Sequence, residues 1–181
     1  MCKEYRKSYI SLDAEEIITI GTEKSENSWN FMLKKKKENE HLDKIILGTY
    51  LDFSLYHGNN NYFIEFDIFV RKEERGCGYG TILLKDMLVK IKELEENRSI
   101  KIGFAKGWLS TSDKGEYWNN SIPFYLDFPN TITKNEVGYG HVKAEIHLKD
   151  EDQSYSIGDV VEDIQDFMNG NQDGCIVYYL D

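Results

Sequence analysis

The chain has 181 residues, 40% apolar and 13% aromatic, with 32 acidic against 22 basic residues and a formal charge of −10. That much apolar surface is enough for one folded domain spanning 1–181 and excludes a disordered chain. The acidity argues against nucleic acid, whose phosphates call for Lys and Arg, and is compatible with a cationic partner.

The opening MCKEYRKSYI has no apolar targeting core, and no run approaches the about 18 apolar residues of a membrane span, so a cytoplasmic protein without membrane contact is expected. Cys2, Cys77 and Cys175 are far apart and show neither CxxC spacing nor a His cluster. They read as free thiols in a reducing compartment, with no metal site. Only two prolines occur, and no linker divides the chain.

In chain order, strands are predicted over Glu16–Thr22 and Trp29–Leu33. The lysine run Lys34–Lys37, next to Glu38-Asn39-Glu40, reads as a solvated turn. A long strand follows, with Ile45, Leu47, Thr49, Leu51, Phe53 and Leu55 on one face, ending at the hairpin turn His57-Gly58-Asn59-Asn60. His57 reads as an exposed turn residue. The next strand alternates Tyr62, Ile64, Phe66, Ile68 and Val70 with Phe63, Glu65, Asp67 and Phe69, giving one apolar face and one bearing carboxylates.

From Gly80 the period becomes helical, with Leu84, Met87, Leu88, Ile91 and Leu94 spaced by threes and fours up to about Asn97. Downstream, a short strand is predicted over Ile100–Phe104, a helix over Trp118–Phe128 and a strand carrying Val142, Ala144, Ile146 and Leu148. An amphipathic helix over Ile157–Met168 and a last strand over Cys175–Leu180 complete the chain.

Chemistry concentrates between the strand ending at Val70 and the helix after it. In Arg75-Gly76-Cys77-Gly78-Tyr79-Gly80, glycines that tolerate left-handed dihedrals precede a helix start, where free N–H groups and the positive end of the helix can hold a phosphate. No Gly-Lys-Ser/Thr closes the loop, and the spacing is GxGxG, so it fits neither a P-loop nor a dinucleotide-binding turn.

The segment resembles the acyl-CoA motif of the GNAT superfamily of N-acyltransferases. Ile68-Phe69-Val70, then Arg75 to Gly80, then Leu83-Leu84 match that motif position by position. The resemblance implies a mixed α/β domain with a mostly antiparallel sheet, splayed where the Val70 strand and the Ile100–Phe104 strand diverge. It also implies acetyl-CoA as co-substrate, its pantetheine arm beside the main chain of Ile68, Phe69 and Val70 and its pyrophosphate on the amides of Gly76, Cys77, Gly78, Tyr79, Gly80 and Thr81.

Trp118-Asn119-Asn120-Ser121-Ile122-Pro123-Phe124-Tyr125 is similar to a helix of that family whose tyrosine lies near the CoA sulfur, which would make Tyr125 the general acid. It reads equally as an aromatic packed on a short helix. Glu65 and Asp67 are the candidate bases for a primary amine acceptor, and each also reads as a solvated or paired strand carboxylate. The region before the Val70 strand, where the family has two helices, reads here as strands. The function implied is transfer of acetyl from acetyl-CoA to an amine; the alternative is a non-catalytic CoA-binding or protein-interaction module.

Overall fold

The computed structural model describes residues 4–10, 16–35, 44–150 and 156–181. Eight strands form one sheet: β1 (Glu4–Ile10), β2 (Glu16–Ser25), β3 (Ser28–Lys35), β4 (Lys44–His57), β5 (Tyr62–Phe69), β6 (Ile102–Leu109), β7 (Val142–Leu148) and β8 (Gly174–Leu180). Their spatial order is β1-β2-β3-β4-β5-β6-β8-β7. All neighbours are antiparallel except β5 and β6. A mixed α/β domain with a mostly antiparallel sheet flanked by helices is therefore observed.

β4 and β5 take their register from the alternation in the sequence. Leu51, Phe53 and Leu55 lie opposite Ile68, Phe66 and Ile64, and all six are buried. The expected turn forms as well, with the Gly58 amide donating to the Asn61 carbonyl at 2.9 Å. Thr49 is buried on β4 as expected; the side chains of Ile45 and Leu47 lie outside the described residues, as do Lys36 and Lys37 of the lysine run, whereas Lys34 and Lys35 end β3. β1 was not legible, because charges interrupt its short alternation.

Helix α1 (Tyr79–Arg98) follows the predicted period and buries Leu84, Met87, Leu88, Ile91 and Leu94. The connection requires such an element as well: β5 and β6 are parallel, so the chain must cross over, and α1 supplies the crossover. Helix α2 (Glu116–Asp127) packs on the same face through Tyr178 of β8, whose hydroxyl donates to the Tyr125 carbonyl at 3.0 Å while its ring stacks on Phe66 at 6.0 Å. A single turn α3 (Lys134–Val137) and the short α4 (Ile164–Asn169) complete the helices among the described residues. No helix among them is long and apolar enough to cross a membrane.

Two expectations need correction. β6 begins at Ile102 and continues to Leu109, well past Phe104. Lys106 and Gly107 break the apolar pattern, but Lys106 is ion-paired within the fold, and a Cβ on Gly107 would stand 2.7 Å from the Phe66 ring. The second correction concerns 157–168, which is helical only from Ile164. Before it the chain runs extended along β7: the Leu148 amide donates to Asp159 at 2.8 Å and the Val161 amide to Ile146 at 2.8 Å. Those bonds satisfy part of an edge strand that would otherwise present open N–H and C=O groups.

Pairing between β5 and β6 stops at Phe66 and Gly107, although the strands run on to Phe69 and Leu109. Beyond that point β5 is paired, among the described residues, on its β4 side alone. The gap between the two strand ends positions the candidate site.

Candidate functional site

β5 delivers the chain to a 3-10 turn at Lys72–Glu74 and then to the glycine loop. Arg75 folds the loop back onto the strand, its Nε donating to the Val70 carbonyl at 3.1 Å. Gly76 and Gly78 have φ of 80° and 83°, the left-handed region where a Cβ is strained, so both turns need glycine. Gly78 caps α1, and the first intrahelical bond runs from the Ile82 amide to its carbonyl at 3.1 Å. The amides of Tyr79, Gly80 and Thr81 consequently have no intrahelical acceptor. The first turn carries no acidic residue, so its positive end is not neutralised by its own sequence.

In front of this loop lies a cavity of about 620 Å3. One wall is Ile68 and Val70 with the loop from Arg75 to Thr81, apart from Cys77, and the other is the α2 face bearing Tyr117, Ser121, Phe124 and Tyr125. Lys72 and Glu116, one from each wall, meet as an ion pair at 3.3 Å. Among the described residues the Ser121 hydroxyl is buried without a hydrogen-bond partner. An open anion cradle at one end, with an aromatic wall and a buried hydroxyl beside it, suits a long ligand carrying phosphates and a less polar arm.

Tyr125 is only 6% exposed and borders this cavity as well as a smaller cleft of about 50 Å3 between the ends of β5 and β6. Burial pushes its phenol well above the ordinary tyrosine value, and the neighbouring Tyr117 phenol acts in the same direction. Tyr117 also borders both spaces, with the Arg75 guanidinium 5.2 Å from its ring centre. Burial raises this phenol too, partly opposed by Tyr125 and Arg75.

The two candidate bases separate. Asp67 lines the smaller cleft, with Oδ2 accepting from the Tyr50 hydroxyl at 3.1 Å. Glu65 borders neither space; its Oε1 lies 3.2 Å from the ammonium of Lys106, which is fully buried. Phe69 shares the sheet face of Glu65 and Asp67, its ring 6.2 Å from Tyr50. The Cys77 Sγ approaches the Arg75 carbonyl at 4.0 Å. His57 is exposed beside Tyr62. Cys175 is a buried free thiol that burial raises to about 11, which makes it a poor nucleophile at neutral pH. Cys2 lies outside the described residues.

Tyr117 and Asp113 join the site from outside the quoted motifs, and Ser121 joins it from within the Trp118 to Tyr125 segment without a role assigned there. The signal that could find Tyr117 and Ser121 is helical spacing, since Ser121 and Tyr117 precede Tyr125 by about one and two turns on the same face. Asp113 lies on a separate 3-10 turn, Thr111–Asp113, and only the fold brings it to the cleft. Among the described residues no group of three or more His, Cys, Asp and Glu could hold a metal ion. No protein-family model matches the chain, and no curated protein matches it.

Proposed function

We propose that this protein is an acetyl-CoA-dependent N-acetyltransferase with the architecture of the GNAT superfamily. The observation that carries this reading is the single cavity bordered at once by the glycine loop, the end of β5 and Tyr125. A phosphate cradle alone would fit many nucleotides. A cradle joined to an unpaired strand end and a neutral buried phenol fits an acyl-CoA better.

The residues present fit that co-substrate. The free amides of the first turn of α1 would hold the pyrophosphate, with Gly76 leaving open space, since nothing lies within 4 Å of a Cβ built there. On its β6 side the main chain of 67–69 lacks a sheet partner and can bond the amides of the pantetheine arm, much as an added strand would. The buried Ser121 hydroxyl offers one more polar contact along the same wall.

Bound acetyl-CoA supplies a thioester with a good leaving group. Asp67 stands at the cleft and accepts the proton of the incoming ammonium, directly or through water. Tyr125 keeps its proton at its oxygen through the physiological range and gives it to the departing sulfur, because burial disfavours its charged form. Glu65 is less suited as base, being held by Lys106.

Calorimetry with CoA, combined with thiol release from acetyl-CoA over a mixture of amines, tests the proposal. Saturable CoA binding with amine-dependent thiol release is expected. Binding without turnover on any amine would make the chain a CoA-binding module, and absence of CoA binding would remove the cofactor assignment itself.

A further inference from the structure

The smaller cleft carries information about the acceptor that the cofactor cavity does not. Its charged groups among the described residues are two carboxylates, Asp67 at the end of β5 and Asp113 on the 3-10 turn, and no Lys or Arg of these residues lines it. Among the described residues neither carboxylate is held in an ion pair. Two cations beside Trp108, which lines the cleft, are engaged: Lys106 is bonded to Glu65 at 3.2 Å, and Lys106 and Lys149 lie 4.7 and 5.3 Å from the Trp108 ring centre. A separate observation concerns Trp118, which also lines the cleft. It is 1% exposed, and its indole N–H has no acceptor among the described residues. An indole nitrogen can only donate, and a buried donor left unpaired is destabilising, so a ligand oxygen in the cleft would satisfy it.

The size of the cleft restricts what enters. About 50 Å3 is room for a few water-sized groups, which suits a short acyclic polar ligand. Tyr117 and Tyr125 border both spaces, so a ligand head in the cleft would leave its reacting nitrogen at the junction with the cofactor cavity.

Resting on the acetyltransferase reading, we propose that the acceptor is a short dicationic amino alcohol. Asp67 faces the nitrogen to be acetylated, Asp113 holds a second ammonium, and the Trp118 N–H donates to a hydroxyl oxygen between them. Short hydroxylated diamines have this chemistry. Amino acids do not, because their carboxylate would meet Asp67 and Asp113 with no cation to offset it. In the reaction itself the ammonium gives one proton to Asp67, and the neutral nitrogen bonds the acetyl carbon. As the carbon–sulfur bond breaks the sulfur takes the Tyr125 proton, the nitrogen's second proton restores the Tyr125 phenol, directly or through water, and the second ammonium is unchanged.

The test compares propylamine, diaminopropane, diaminopropanol and β-alanine as acceptors, with the purified protein and acetyl-CoA. The expected order of kcat/KM is diaminopropanol, diaminopropane, propylamine and then β-alanine, with about tenfold between diaminopropane and propylamine for one partly desolvated charge pair. Asp113→Asn should bring the diaminopropane-to-propylamine ratio close to one, and Trp118→Phe should erase the advantage of diaminopropanol over diaminopropane. CoA affinity measured by calorimetry on each variant reports that it is folded. A wild-type ratio near one, or the same ratio in Asp113→Asn, overturns the dication assignment while the acetyltransferase reading stands. No turnover of any of these or of the mixed amines, with CoA bound, overturns the acetyltransferase reading and this inference with it.

Discussion

The glycines of the phosphate loop do different work, and substitution should separate them. A Cβ on Gly80 would stand 2.9 Å from Cζ of Phe124, a ring that forms the opposite cavity wall, so Gly80→Ala must shift that ring. Such overpacking costs about 1–3 kcal/mol, and a loss of CoA affinity should accompany it. Gly76→Ala has no steric neighbour, and its cost is the roughly 1–2 kcal/mol of a left-handed alanine. Urea denaturation and calorimetry on both variants check this; equal CoA affinity in Gly80→Ala and the wild type would remove Phe124 from the binding wall. For Tyr125, the Phe variant should lower kcat about 100-fold with little change in the KM for acetyl-CoA, since general acid catalysis acts on charge that appears late. The sign of the pH effect follows from burial. The raised phenol stays protonated through and above the ordinary tyrosine range, so the wild-type kcat profile should show no alkaline loss from this group near pH 10. A fall there that vanishes in Tyr125→Phe would contradict the assignment.

At the scale of elements, one buried carboxylate ties the end of α1 to the start of β6. Glu95 is 6% exposed, with Oε1 accepting from the Ile102 amide at 2.7 Å and Oε2 from the Tyr139 hydroxyl at 3.1 Å. Burial and the Glu95 charge together raise the Tyr139 phenol, so this tyrosine remains a donor. Glu95→Ala leaves both donors unpaired, at about 1–3 kcal/mol each, and the urea midpoint should drop accordingly. Glu93 makes only a surface pair with Lys90 at 3.0 Å, so Glu93→Ala should cost under about 1 kcal/mol. Similar losses in the two variants would mean that the α1–β6 junction does not depend on Glu95. The junction matters because it sets where β6 starts, and hence where it stops pairing with β5.

Across the whole molecule, acid stability has a definite shape. Asp173 is held below the ordinary carboxylate range chiefly by the Thr111 amide, Glu136 by the Lys85 ammonium and Glu145 by the Lys143 ammonium. A carboxyl depressed in the folded state contributes stability above its unfolded value and loses it as pH falls through the folded one. Self-repulsion of the −10 charge eases over the same descent. Relief should act first, as ordinary carboxylates protonate, and loss should dominate below about pH 4. Thermal melts from neutral pH into acid should therefore fall steeply only at the acid end. Asp173→Asn, which keeps an acceptor for Thr111 but does not titrate, should flatten that limb, and an unchanged slope would exclude Asp173 as a contributor.

By itself the sequence determined the elements whose periodicity is local. The alternation of Leu51, Phe53 and Leu55 against Ile64, Phe66 and Ile68, and the helical spacing from Leu84 to Leu94, need no distant partner to be read. The glycine loop is equally local, because its left-handed turns and helix start are properties of adjacent residues. Tertiary structure decided what depends on chains meeting from far apart. It paired Glu65 with Lys106 and turned Asp67 instead toward the cleft. It joined Asp113 and Tyr117 to Tyr125, and it laid 157–163 along the open edge of β7. Charge, burial and edge satisfaction are set by neighbours in space, and adjacent residues alone carry no record of which neighbours those will be.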